Sequence, residues 1–155
     1  MVRDAGVAKA SLYNNFASKE ALVVAYLDQE LQSWVENSRA LDDPLMPPQN
    51  RVAALFDGIA RAVETQTFHG CPFTNAVIEL PECVAVRLVA ERYRDAVRRH
   101  LAGLAEQDFS STLVSRLVLV YDGAITAAKV AGDASLVREA SALAQQLVRE
   151  PWHQC

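Results

Sequence analysis

The chain has 155 residues, of which 51% are hydrophobic and 22% charged, and its formal net charge is −4 at pH 7. That composition suits one globular domain able to bury a sizeable core, and it excludes a disordered chain. The mild acidity excludes a polyanion binder by bulk charge, so any nucleic-acid contact must be a local surface.

Hydrophobic periodicity is helical along nearly the whole chain, and no strand alternation appears, which predicts an all-α fold. Gly6 is a turn residue. The segment from Ala8 to Asn14 predicts a helix of about two turns, with Leu12 and Phe16 as an apolar anchor pair and Lys9, Ser11, Tyr13 and Asn14 on the polar side. Ser18 is placed to cap a second helix running to about Ser38, striped by Val23, Leu27, Leu31 and Trp34. Three prolines between Leu41 and Asn50 make that stretch a loop and the best linker.

Arg51 to Thr67 predicts a helix with Val52, Leu55, Phe56, Ile59 and Val63 on one face. Gly70-Cys71-Pro72 breaks the chain, and Phe73 to Leu80 predicts a short helix stopped by Pro81. Glu82 to Ala105 predicts a long helix. Its arginines Arg87, Arg92, Arg94, Arg98 and Arg99 read as a solvated face with local charge neighbours rather than a second nucleic-acid surface. Ser110 or Ser111 caps a helix to Ala131 that looks apolar on nearly all sides, which in a chain this short implies burial against a second subunit. Gly132 closes it, and Asp133 caps a last helix whose Leu136, Ala140, Leu143 and Leu147 form a packing seam, with Pro151 as its stop.

The three cysteines, Cys71, Cys83 and Cys155, are odd in number and irregular in spacing. They fit neither a disulfide framework nor a metal site and favour a reducing, cytoplasmic setting. No apolar signal stretch follows Met1, and Ser115, Arg116, Asp122 and Lys129 interrupt the longest apolar segment, so no membrane partner is expected. His69 and Cys71 suggest a base and a nucleophile, but no third group is evident to orient the base. No catalytic residue, metal ligand or cofactor is therefore expected.

The run Ala5-Gly6-Val7-Ala8-Lys9-Ala10-Ser11-Leu12-Tyr13-Asn14-Asn15-Phe16, followed by Ser18-Lys19-Glu20-Ala21-Leu22, resembles the end of the helix-turn-helix in TetR-family bacterial transcriptional regulators. His69-Gly70-Cys71-Pro72-Phe73-Thr74-Asn75-Ala76 resembles a segment of one large branch of that family, and Tyr121-Asp122-Gly123-Ala124 sits where its penultimate helix usually lies. The resemblance implies an all-helical dimer with a DNA-binding head, here the remnant 1–17, and a helical ligand-binding and dimerisation body, 18–155. It also implies that the head pattern continues upstream of Met1, so that the first helix and the start of the second are missing.

By the same resemblance, Lys9, Ser11, Tyr13, Asn14 and Lys19 would face operator DNA, with Tyr13 and Lys19 on the phosphates. Phe56, Ile59, Phe73, Asn75, Tyr93, Val97 and Tyr121 would line a cavity for a small apolar or amphipathic effector. Leu117, Val120, Ala124, Ala128, Leu136, Leu143 and Leu147 would form the homodimer interface. The expected function is a ligand-responsive DNA-binding regulator, a repressor as most of the family are. The other reading is a helical ligand-binding or interaction dimer that does not itself bind DNA.

Overall fold

The computed structural model describes residues 16–41, 43–104 and 111–149. Every regular element among them is an α-helix: α1 Lys19–Ala40, α2 Pro48–Glu64, α3 Pro72–Glu79, α4 Val84–Leu104, α5 Ser111–Ala131 and α6 Ala134–Arg149. The all-α expectation is met.

Local chemistry sets most of the boundaries. Ser18 is extended, with φ −159°, and its hydroxyl accepts from the Ala21 amide at 3.1 Å, which satisfies one of the free donors at the start of α1. Glu20 adds a negative charge to that first turn, and backbone and Ser18 hydrogen bonds hold its carboxyl below the usual carboxylate value. α2 starts at Pro48, three residues earlier than the periodicity predicts. Proline at the first helical position has its φ already set and lacks only an amide hydrogen that the helix would leave free. At the other end of α2, Gln66 takes the left-handed φ of 56°. The hydroxyls of Thr65 and Thr67 then donate to the carbonyls of Arg61 and Ala62 at 2.9 and 3.3 Å.

Gly132 turns the chain between α5 and α6 with φ 64°, and its amide returns to Ala128 O at 2.9 Å, closing the helix through a left-handed residue. Asp133 then accepts from the Ser135 amide at 2.8 Å and from its hydroxyl at 2.6 Å.

α2 packs mainly against α6, α5 against α6, and α1 and α3 against α4. One hydrophobic core joins them, from Leu27 on α1 through Val52 and Phe56 on α2 and Val97 and Leu101 on α4 to Val137 and Ala144 on α6. The long arginine-bearing helix is tied to its neighbours across the bundle: Arg92 pairs with Asp28 of α1, and Arg94 with Asp122 of α5. Arg138 of α6 pairs with Glu64 of α2.

α5 is less uniform than its sequence suggests. Leu113, Leu117, Tyr121, Ala124 and Ala128 are buried within the subunit. On the opposite side Leu119 is 69% and Val130 84% exposed. A polar stripe marks the outer side: Ser115, Asp122, Thr126 and Lys129 step seven, four and three residues along one face, and Leu119 and Val130 stand beside it.

Candidate ligand-binding site

The chain break around Gly70 organises this region. Gly70 has φ 85°, a left-handed conformation that L side chains rarely adopt, and a Cβ placed there would lie 3.2 Å from Lys129 Cγ. Its α5 neighbour therefore approaches the backbone closely. Asn75, one turn into α3, donates its side-chain amide to His69 O at 3.3 Å and pins the segment from the other side. Pro72 then opens α3 with its φ preset.

Two clefts lie against this turn, and Gly70 and Asn75 line both. The first, about 490 Å³, lies between α1 and α3 and is bounded by Val23, Tyr26, Glu30, Phe68, His69 and Glu79, among others. The second, about 390 Å³, lies between α3 and α5, with Cys71, Ile78, Arg94, Asp122, Lys129 and Val130 in its walls. Both volumes suit a small molecule. His69 lines the first cleft and Cys71 the second. Among the described residues no group of three or more histidines, cysteines and acids could hold a metal ion.

Behind the turn sits a close-packed aromatic group. Phe73 of α3 stacks on Tyr93 of α4 with ring centroids 4.0 Å apart and planes 7° from parallel. Trp34 of α1 meets Tyr93 and His100 edge-on at 5.6 and 5.8 Å, and Phe56 of α2 meets Tyr121 of α5 at 6.0 Å. The Trp34 indole donates to the Tyr121 hydroxyl at 3.1 Å, and the Tyr93 and Tyr121 hydroxyls are 3.4 Å apart. Burial pushes both phenols well above the ordinary tyrosine value, so they remain neutral hydrogen-bonding groups.

Of the seven residues expected to line an effector cavity, Phe56, Phe73, Tyr93, Val97 and Tyr121 are buried and Ile59 is half-buried in this packed interior. Asn75 is exposed and reaches both clefts. Residues not anticipated as site residues are Tyr26, Glu30 and Glu79. Glu30, seven positions after Val23 and four before Trp34, interrupts the apolar stripe of α1, and with Tyr26 four positions before it carried the available signal.

Lys19 is exposed at the first position of α1. Lys9, Ser11, Tyr13 and Asn14 lie outside the described residues, as does most of the segment 1–17. Of the expected dimer residues, Leu136 is 40% and Leu143 47% exposed, while Leu117, Ala124 and Ala128 face the subunit's own core. Val120 and Leu147 are half-buried.

Among solved structures, the chain is similar to a TetR-family transcriptional regulator from Streptomyces coelicolor. The TM-score is 0.71 at 29% sequence identity, over 90% of this chain and 76% of that one. The chain has the TetR-like fold. No family model and no curated protein matches it. The likeness supports a transcriptional regulator of the TetR type. No described helix of this TetR-like bundle is long and apolar enough to cross a membrane.

Proposed function

We propose that the protein is a ligand-responsive, DNA-binding repressor of the TetR type that acts as a homodimer. One observation carries the reading: among the described elements, α1 runs from beside the expected reading segment past the larger cleft to Tyr121 of α5. It begins with Ser18 and Lys19, beside the expected reading segment. Its middle, Val23 to Glu30, walls the larger cleft. Farther along, Trp34 is hydrogen-bonded to Tyr121 of α5. A molecule in the cleft therefore touches the element that would position the DNA contacts.

In this mechanism two recognition segments, one per subunit, enter successive major grooves, with Lys9, Ser11 and Asn14 toward the bases and Tyr13 and Lys19 on the phosphates. The helix N-terminus at Lys19 adds backbone donors for a phosphate. The effector binds in the cleft at the Gly70–Asn75 turn, walled by Val23, Tyr26 and Phe68, and Phe56, Ile59, Phe73, Tyr93, Val97 and Tyr121 form the packed interior behind it. It prefers the state whose reading segments are wrongly spaced, and so lowers operator affinity. The second subunit covers the apolar side of α5 and α6. Leu119, Gly123, Thr126 and Val130 on α5, and Leu136, Ala140, Leu143 and Leu147 on α6, support this: each set steps four, three and four residues along its helix. Leu117, Val120, Ala124 and Ala128 back that face from within α5.

The test is selection of duplexes from a randomised DNA pool by the purified chain, followed by affinity measurements across a salt series. A selected sequence should bind well above bulk DNA. Lys19→Ala and Tyr13→Phe should weaken all duplexes alike, and Lys19→Ala should reduce the salt slope by about one per subunit. If no sequence is enriched, the DNA-binding reading fails, and a helical ligand-binding dimer is what stands.

A further inference from the structure

We propose that the cleft between α1 and α3 binds an organic monocation with an apolar body, its charge held by Glu30 and Glu79. This names the chemical class of the effector and so rests on the ligand-response reading above. Its test reads binding without DNA, so the two can fail separately.

The argument starts from the walls. The cleft has about 490 Å³ of space, enough for a drug-sized molecule. Its two acidic lining side chains, Glu30 and Glu79, come from different helices, and neither lysine nor arginine is among its lining residues. Glu30 is half-buried and forms no ion pair with any described residue, whereas Asp28, two positions earlier on the same helix, has Arg92 as its partner. A carboxylate that has lost part of its water and gained no cation favours an incoming positive charge and repels an anion.

Next to it stands an aromatic ring. Tyr26 is one turn before Glu30 and half-exposed in the same cleft. A ring face beside a carboxylate is a recognition set for ammonium and related cations, because the ring quadrupole and the carboxylate attract the same charge. Burial, and then the nearby Glu30 charge, raise the Tyr26 phenol above its ordinary value, so its hydroxyl stays neutral and does not compete for the cation. Val23, Phe68 and Leu80 supply apolar wall for the rest of the ligand. A neutral ligand of the same shape would cover the carboxylates without compensating them.

The decisive probes are tetraphenylphosphonium and tetraphenylborate, two ions of nearly the same shape and opposite charge, titrated calorimetrically into the purified 155-residue chain. Tetraphenylphosphonium should bind and tetraphenylborate should not. Glu30→Gln and Glu79→Gln should each weaken the cation about five-fold, and the double variant should lose the discrimination between the two ions. Both substitutions keep side-chain shape, and thermal melting of each variant checks the fold. Tyr26→Leu, which keeps bulk but removes the ring, should weaken the cation further. Equal binding of the two ions, cation binding unchanged in the double variant, or no cation binding at millimolar concentration overturns the proposal. Cation binding without any selected DNA would leave this site standing and remove the repressor reading.

Discussion

Gly70 stands between the two clefts, and its conformation leaves little room for another residue. Its φ is 85°, and the space a Cβ would need is occupied by the inner methylenes of Lys129. Gly70→Ala should therefore cost roughly 1–2 kcal/mol from the left-handed backbone alone, with a further steric part from Lys129. Urea unfolding measures the sum, and adding Lys129→Ala to Gly70→Ala should return only the steric share. A loss below about 0.5 kcal/mol, the usual range of surface substitutions, would mean that the turn relaxes freely. The block from His69 to Ala76 was legible as a marked segment of sequence, and the structure puts it at the junction of both clefts. Tyr26, Glu30 and Glu79 were not legible as a group. They lie on two helices, and only packing brings them together.

Among the elements, those ended by local chemistry were the easiest to read. Ser18, Gly132 and Asp133 act through neighbours within four residues, so their roles follow from sequence. Removing the cap of α1 with Ser18→Ala should cost about 1 kcal/mol, and Ser18→Asp should restore most of it. Thermal melting of the three proteins checks this, and a Ser18→Ala chain as stable as the parent would show that the cap is not needed. α5 was harder. Its many Leu, Val and Ala residues mask a thin polar stripe of Ser115, Asp122, Thr126 and Lys129, so Leu117, Ala124 and Ala128 were expected at a subunit interface although they pack inside the subunit. Its contacts with α2, α4 and α6 fix the rotation of the helix.

At the scale of the whole molecule, α5 and α6 present apolar side chains outward. Leu119, Val130, Leu136 and Leu143 are all exposed large hydrophobic residues, and they lie on two helices packed side by side. Large apolar residues left exposed on neighbouring helices are the kind of surface that a subunit interface covers. A two-fold dimer places the same patch against itself. Leu119→Glu puts two like charges into that contact, and it should weaken dimerisation at least about ten-fold while leaving the monomer's helicity intact, since the side chain is 69% exposed. Sedimentation over a concentration series measures the shift. A variant as dimeric as the parent would place the interface elsewhere. The all-helical fold was legible from periodicity. The aromatic interior was legible as a list of residues but not as an arrangement, because stacking of Phe73 on Tyr93 depends on how α3 docks on α4.

The hydrogen bond from the Trp34 indole to Tyr121 gives the chain an optical gauge. The indole lies one turn beyond Glu30 on the helix that would carry any signal, amid two phenols and an imidazole. Its emission depends on that hydrogen bond and on the rings that surround it. A slide or roll of α1 against α4 and α5 alters both at once. With Trp152, the second tryptophan, replaced by phenylalanine, the colour and yield of the remaining emission therefore register the position of α1, with no label attached to either helix.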